Sequence, residues 1–300
     1  MVAPMTARRM LIGLIGANIQ GSLSPALFAD AFAAAGIDGY YHLLDADRLP
    51  GRRLPQLLDA IKAAGFAGAN ITYPFKQEIV PLLDAVDPEA AQVGAINSVT
   101  IAPDGRTTGY NFDRRGWRNS FIECLGANSA KGATVVQIGA GGAGRAVAFA
   151  LMDLGVGVLV IADLDRARAE ALNADLARHY GASRCRLAGD VERDIAVAGG
   201  VVNATQVGMR GFPGNPVPVA AIKPMHWAAD VIYTPLQTEF LKAAAANGAR
   251  VMNGAGMCVH QAVEAFRQIT GVTPDLERLH RAFATAVAAR DAGYAEGARA

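Results

Sequence analysis

Residues 11–16, Leu-Ile-Gly-Leu-Ile-Gly, form a short apolar run closed by the turn-forming Gly16-Ala17-Asn18, which predicts a buried strand; helix signals follow from Ser24-Pro25. Leu54, Leu57, Leu58 and Ile61 recur at helical spacing, residues 65–68 (Gly-Phe-Ala-Gly) interrupt them, and residues 69–72 read as the end of another strand. A second block opens near Lys131. There, residues 133–138 are a compact strand running straight into glycines, 145–154 are helical, 156–162 strand-like, 166–180 helical, and 200–203 end another strand. Strands alternating with helices of this length predict right-handed βαβ units and parallel sheets, so the expected fold class is α/β in two domains. From Met257 onward the chain reads as mostly helical, with an apolar stripe of Ala262, Val263, Phe266 and Ile269 that predicts a return to pack on the first domain.

Composition narrows the kind of partner. Of 300 residues, 52% are hydrophobic and 18% charged, with 33 Gly and 14 Pro, the balance of a chain that can bury a large core. With 28 Lys and Arg against 27 Asp and Glu, a net charge of +1 gives no broad field for nucleic acid or anionic membrane. A small-molecule partner is expected instead. Cys124, Cys185 and Cys258 are odd in number and far apart, which predicts buried thiols rather than disulfides or a zinc site. Residues 1–10 carry two arginines, but the stretch that follows is broken by Gly13, Gly16 and Asn18 and resembles no secretory leader; no apolar run approaches the ~18 residues needed to span a bilayer. A cytoplasmic location follows as an expectation. The five histidines show no ligand spacing, so no metal is expected, and His260 reads as a packed histidine.

Gly139, Ala140, Gly141, Gly142, Ala143 and Gly144 satisfy G-x-G-x-x-G directly after a predicted strand and directly before a helical pattern. A glycine-rich structural turn is the plain alternative, but the setting favours a dinucleotide site: a tight turn at the first glycine, backbone approach to a pyrophosphate at Gly141, close helix–strand contact at Gly144. Asp163 ends the strand-like run 24 positions beyond Gly139, near the roughly 20-residue spacing of a ribose-binding carboxylate. A 2′-phosphate there would meet a like charge, so NAD is expected over NADP. Asp165 competes for the same role, while Arg166 and Arg168 could partly neutralise a phosphate. The layout is therefore a Rossmann NAD-binding domain over 114–254 and a discontinuous α/β substrate-binding and catalytic domain over 1–113 and 255–300, with substrate in the cleft between them.

A cofactor motif names no reaction. In residues 70–76, Asn70, Thr72 and Lys76 place an amide, a hydroxyl and an ammonium at a strand exit, and Asn111-Phe112-Asp113 adds a second amide and a carboxylate, a set that could orient a polyhydroxylated ring. Read alone, Lys76 could equally be a solvated charge and Asp113 a helix cap. Ser22-Leu23-Ser24-Pro25, residues 70–76, 94–98 (Gly-Ala-Ile-Asn-Ser), 109–113 (Gly-Tyr-Asn-Phe-Asp), 139–144, Asn203-Ala204-Thr205, Asp230-Val231-Ile232-Tyr233, and Gly256-Met257 with Gln261 form an ordered series over almost the whole chain. In this series the sequence resembles the shikimate/quinate dehydrogenase family.

That resemblance implies a reversible NAD-dependent oxidation of the ring hydroxyl of shikimate or quinate to the 3-dehydro ketone. Lys76 and Asp113 look like the catalytic pair: loss of hydride from an alcohol requires its O–H proton to leave, and a partly desolvated lysine can accept one. It further implies Ser22 and Ser24 on the substrate carboxylate with Tyr233 nearby, and Thr72, Asn97, Asn111 and Gln261 on ring hydroxyls. Asn203, Thr205 and Met209 would lie by the nicotinamide, with Arg166 and Gly254 also in the cofactor site. Phe112 stands where the family usually has threonine, Ser98 where threonine follows the earlier Asn, and Asn253 where aspartate usually precedes Gly254. The Ala162-Asp163-Leu164-Asp165 run is similar to the NAD-using branch and points to a catabolic role. The alternatives are an NADP-dependent biosynthetic 3-dehydroshikimate reductase, or a non-catalytic dinucleotide-binding sensor of the same fold. Oligomeric state is left open, with a homodimer among the options.

Overall fold

A computed structural model describes residues 8–297, with side chains described through residue 292. The reading of residues 1–10 as no leader falls mostly on residues 1–7, outside the described residues. The chain divides into two compact units, Met1–Phe112 with Gln261–Ala300, and Asp113–His260.

In the first unit the elements run β1 (Arg9–Gly16), α1 (Ser24–Ala35), β2 (Asp38–Asp45), α2 (Leu54–Ala63), β3 (Gly68–Ile71), β4 (Ala85–Val86), α3 (Pro88–Val93), β5 (Ser98–Ile101) and β6 (Thr107–Tyr110). The sheet order is β2-β1-β3-β5-β6-β4. β1 is parallel to β2 and β3, whereas β5 is antiparallel to both β3 and β6. The sheet is thus mixed, where the sequence predicts parallel strands only. The cause is local: Ala102 N–H donates to the Arg106 carbonyl and Gly105 N–H to the Ala102 carbonyl, closing a tight turn that leaves no room for a crossover helix. Leu54, Leu57, Leu58 and Ile61, the predicted helical stripe, line one face of α2 and pack in one cluster with Ile15, Ile71, Ile96 and Val99. Each such side chain fully buried stabilises the unit by roughly 2 kcal/mol.

The second unit holds α4 (Asp113–Leu125), β7 (Thr134–Ile138), α5 (Gly142–Asp153), β8 (Val158–Ala162), α6 (Arg166–Tyr180), β9 (Cys185–Leu187), α7 (Val191–Ala196), β10 (Gly200–Asn203), β11 (Trp227–Asp230), α8 (Glu239–Ala246) and β12 (Arg250–Met252). Its order is β12-β11-β10-β7-β8-β9, every pair parallel. From β7 the chain builds outward through β8 to β9, then returns beside β7 at β10 and builds the other way. This is the doubly wound Rossmann arrangement, and the reversal between β7 and β10 is where such sheets open a crevice beyond their carboxyl ends. Val136, Val160, Val201 and Ala228 of the strands share a buried cluster with Phe240, Leu241 and Ala244 of α8.

Two long helices, α9 (Ala255–Thr270) and α10 (Leu276–Gly297), follow β12. In the first unit Phe266 of α9 meets Phe28 and Phe32 of α1, ring centroids 5.7 and 5.2 Å apart, and Arg278 of α10 holds Asp30 through two bonds of 2.7 and 3.0 Å. The second unit runs on into α9, as far as His260. A Cβ on Gly256 would strike the Ser120 side chain of α4, so the first turn of α9 packs against α4 within the second unit. The expectation of three buried thiols needs correcting, since Cys124 is exposed near the end of α4, while Cys185 and Cys258 are buried. No helix among the described residues is long and apolar enough to cross a membrane.

Candidate functional site

In the first unit the register gathers the polar residues at one edge of the sheet. Ile15 of β1 pairs with Ile71 of β3, so the segments carrying Ser22 and Ser24, and Thr72 and Lys76, leave from neighbouring carboxyl ends. Because β5 runs antiparallel, Asn70 pairs with Ser98 and Ser98 with Tyr110, which brings the start of β5 and the end of β6 to that same edge. Asn97 and Asn111 arrive there as a result. Both are almost fully buried and partly committed to backbone: Asn97 Oδ1 accepts from Phe112 N–H at 2.8 Å, and Asn111 Nδ2 donates to the Ala95 carbonyl at 2.8 Å. Phe112 is buried and stacks on Tyr110 with centroids 5.6 Å apart. Lys76 and Thr72 are half-buried, as are Ser22 on the loop before α1 and Gln261 on α9, and Ser24 is buried. Ser22 Oγ accepts from Ser24 N–H at 3.2 Å, so the loop serine does the work of a cap that Leu23, the N-cap residue, has no group to do.

The second unit presents its groups at the carboxyl edge of the parallel sheet. Gly139 has φ +104°, open to glycine at little cost, and a Cβ on it would lie 2.6 Å from the Ala204 carbonyl oxygen. Gly144 lies against the Gly139 carbonyl, too close for a Cβ, whereas a Cβ on Gly141 would meet nothing within 4 Å. Two glycines are therefore demanded by packing, and the third faces open space at the N-terminus of α5, which carries no side-chain cap. Asp163 leaves β8 half-buried; its Oδ2 accepts from Ala140 N–H at 2.6 Å and its Oδ1 from Asp165 N–H at 2.8 Å. That fixes the carboxylate beside the glycine turn and leaves lone pairs for two vicinal hydroxyls. The nearby cations are already engaged, Arg166 with Glu170 at 2.7 Å and Arg168 with Asp165 at 3.1 Å. An uncapped helix N-terminus, an open glycine turn and an anchored carboxylate fit a dinucleotide with a free ribose diol.

Asn203 ends β10 fully buried, and its amide is saturated. Nδ2 donates to the Val207 carbonyl at 2.9 Å and to Asp230 Oδ1 at 3.2 Å, while Oδ1 accepts from Thr205 N–H at 3.1 Å and Thr205 Oγ1–H at 2.7 Å. Its side chain shapes the loop that carries Thr205 and Met209. Gly254 answers to packing as well, since a Cβ there would run into the Val231 carbonyl. Tyr233 is half-buried on the loop after β11, and Asp113 is buried in the first turn of α4, where a carboxylate suits the helix dipole. Asp113 begins the second unit, while Lys76 belongs to the first.

The shikimate dehydrogenase substrate binding domain matches residues 14–99. A quinate/shikimate dehydrogenase (NAD(+)) of Corynebacterium efficiens is 46% identical over 282 residues, 91% of this chain and 97% of that protein. The chain belongs to the shikimate/quinate dehydrogenase family. A shikimate dehydrogenase (NADP(+)) of Streptomyces avermitilis is 42% identical over 279 residues, covering 92% of this chain and 95% of its own. Among solved structures, quinate dehydrogenase from Corynebacterium glutamicum in complex with NAD superposes with a TM-score of 0.85 at 42% identity, over 93% of this chain and 99% of that one. Relatives named for NAD(+), at 44% to 46% identity, stand above the one named for NADP(+) at 42%.

Three residues of this family member that shape the candidate site were given no role by motif reading, although Asp230 opens one of the matching segments. Gln137, fully buried in β7, donates from Nε2 to the carbonyls of Gly139 and Gly144, both at 2.8 Å, and so clamps the two ends of the glycine turn. Asp230 ties the exits of β10, β11 and the start of α8 together, accepting from Asn203, from Ile232 N–H at 2.9 Å and from Thr238 Oγ1–H at 2.9 Å. Burial pushes its carboxyl up to about 6 despite those bonds. Asp45, 3% exposed at the end of β2, collects the N–H groups of the loop before α1. The available signal was a polar residue inside or ending an apolar strand: Gln in Val-Val-Gln-Ile, Asp after Trp-Ala-Ala, Asp after Leu-Leu.

Proposed function

We propose that the chain is an NAD-dependent quinate/shikimate dehydrogenase that reversibly oxidises the ring hydroxyl of either acid to the 3-dehydro ketone. The observation that carries the cofactor half is Asp163: an acceptor fixed against the glycine turn, with the adjacent arginines paired to other carboxylates, favours a ribose diol and disfavours a 2′-phosphate. The close likeness to relatives named for NAD and for quinate supports the same choice. The two units divide the work, the first supplying most groups for the acid and the second those for the dinucleotide. A catabolic role in the cytoplasm accords with this, and the exposed thiol of Cys124 suits a reducing compartment.

In this reading Ser22 and Ser24 donate their hydroxyl protons to the substrate carboxylate next to the N-terminus of α1. Asn97, Asn111, Thr72 and Gln261 orient the ring hydroxyls, and Tyr233 serves the same acid. Lys76 Nζ takes the proton of the reacting hydroxyl, and Asp113 serves as the carboxylate partner of the same ring. Bound NAD supplies the hydride acceptor, its pyrophosphate on the 139–144 turn and its ribose on Asp163. The chain's own part in the redox step is to hold the carbinol C–H in line and to remove the O–H proton.

The test is NADH formation from quinate or shikimate by the purified protein. Lys76→Ala is expected to lower turnover by about 10³-fold or more while NAD binding, measured separately, stays within about twofold. Full turnover in that variant would refute the assignment.

A further inference from the structure

We infer that Asp45 is a positioning residue for the substrate carboxylate, acting through the loop that carries Ser22 and Ser24. The inference rests on the dehydrogenase reading above and deepens it. Asp45 ends β2 directly opposite Gly16, the last residue of β1, and so lies at the root of that loop. Its Oδ1 accepts from Asn18 N–H at 3.1 Å and Asp47 N–H at 3.3 Å, and its Oδ2 from Ile19 N–H at 3.3 Å and Gln20 Nε2 at 2.8 Å. Four N–H donors match the four or so lone-pair positions of a carboxylate. All four are neutral, and three of them come from residues 18–20.

The bonds continue outward from there. Ser22 N–H donates to the Ile19 carbonyl at 2.9 Å, and Ser22 Oγ accepts from Ser24 N–H at 3.2 Å, which leads into α1. Ala17 N–H donates to the Tyr73 carbonyl at 2.8 Å, so the same loop is joined to the segment that carries Thr72 and Lys76. Apolar anchorage exists only at Ile19 and Leu23; Asn18 and Gln20 are exposed, and Asn18 holds φ +54°, a conformation that needs outside support. A negative charge behind an anion site repels the anion, so Asp45 cannot help by attraction. Its contribution is geometric: it fixes the path of residues 18–22 so that the Ser22 hydroxyl, already accepting from Ser24 N–H, has its proton left for the ligand.

The test compares the wild-type enzyme with Asp45→Asn and Gln20→Ala, using NAD with quinate or shikimate and with the carboxamides of the same acids. Asp45→Asn keeps the size but turns an amide N–H₂ toward the loop donors. Its KM for the acid should rise about tenfold, with kcat within about threefold and KM for NAD within about twofold. Its preference for acid over carboxamide should fall about tenfold as well, a readout that simple loss of stability does not move. Gln20→Ala removes one of the four bonds from the solvent side and should shift the preference the same way by about twofold to threefold. An unchanged acid preference in a folded Asp45→Asn protein, even with a lowered Tm, overturns the inference; if that variant does not fold, an unchanged preference in Gln20→Ala does so. Absence of wild-type turnover with either acid overturns the dehydrogenase reading itself, and with it this one.

Discussion

Asp163 and Asn203 both stand at strand exits of the second unit, and their hydrogen bonds give them opposite parts. Asn203 has used every donor and acceptor of its amide on its own loop and Asp230, whereas Asp163 has used one lone pair on each oxygen and keeps the others. Only Asp163 is equipped to select a ligand. Asp163→Asn retains one oxygen for Ala140 N–H but removes the charge, so the ratio of kcat/KM for NAD over NADP should fall by about tenfold or more. An unchanged ratio in steady-state assays would show that the carboxylate does not choose the cofactor. Asp163 was legible in the sequence because its spacing from the glycine turn is set by one βαβ unit. The saturation of Asn203 was not, because its partners Val207 and Asp230 are fixed by the loop's path and by register across two strands.

At the scale of elements, Asp230 joins β10, β11 and α8, since Thr238, which it holds, also accepts from Leu241 N–H as the α8 cap. Its folded-state carboxyl titrates near 6, above the ordinary 3.8, because burial penalises the charged form. A raised acid stabilises the fold most when protonated, below about pH 4, and that contribution is lost as pH rises through 6. At about 1.36 kcal/mol per pH unit the loss is about 3 kcal/mol. Asp230→Asn preserves the shape and removes the ionisation, so the unfolding free energy of wild type minus variant should drop by about that amount between about pH 3 and pH 7. Denaturant melts at several pH values would contradict this with a flat difference.

The elements differ in how openly the chain announces them. β7, α6 and β10 follow from apolar runs and helical periodicity. α5 begins at Gly142, three residues before its apolar pattern does, because glycines required by the turn occupy its first turn and glycine is a poor helix signal. β2 is an edge strand with Tyr40 and His42 facing solvent, so its alternation carries little apolar contrast. β5 and β6 are short and rich in Ser and Thr, and only their pairing reveals them.

For the whole molecule, the candidate chemistry is distributed over two units whose polar groups gather at strand ends. Lys76, Thr72, Asn97 and Asn111 share one edge of the mixed sheet through the registers Ile15 with Ile71, Asn70 with Ser98 and Ser98 with Tyr110. The glycine turn, Asp163, Asn203 and Asp230 share the carboxyl edge of the parallel sheet. Motif order along the chain made most of these residues legible, Asp230 among them by position, while Gln137, Asp45 and the part played by Asp230 escaped because a lone polar residue in a strand has many ordinary explanations. The central claim is an NAD-linked oxidation of a ring hydroxyl in quinate or shikimate. Its most direct test is a steady-state matrix of the two acids against NAD and NADP with the wild-type protein. The account predicts turnover of at least one acid, with kcat/KM for NAD exceeding that for NADP by about tenfold or more. Turnover with NADP at equal or greater efficiency, or no reduction of either dinucleotide by either acid, would contradict it.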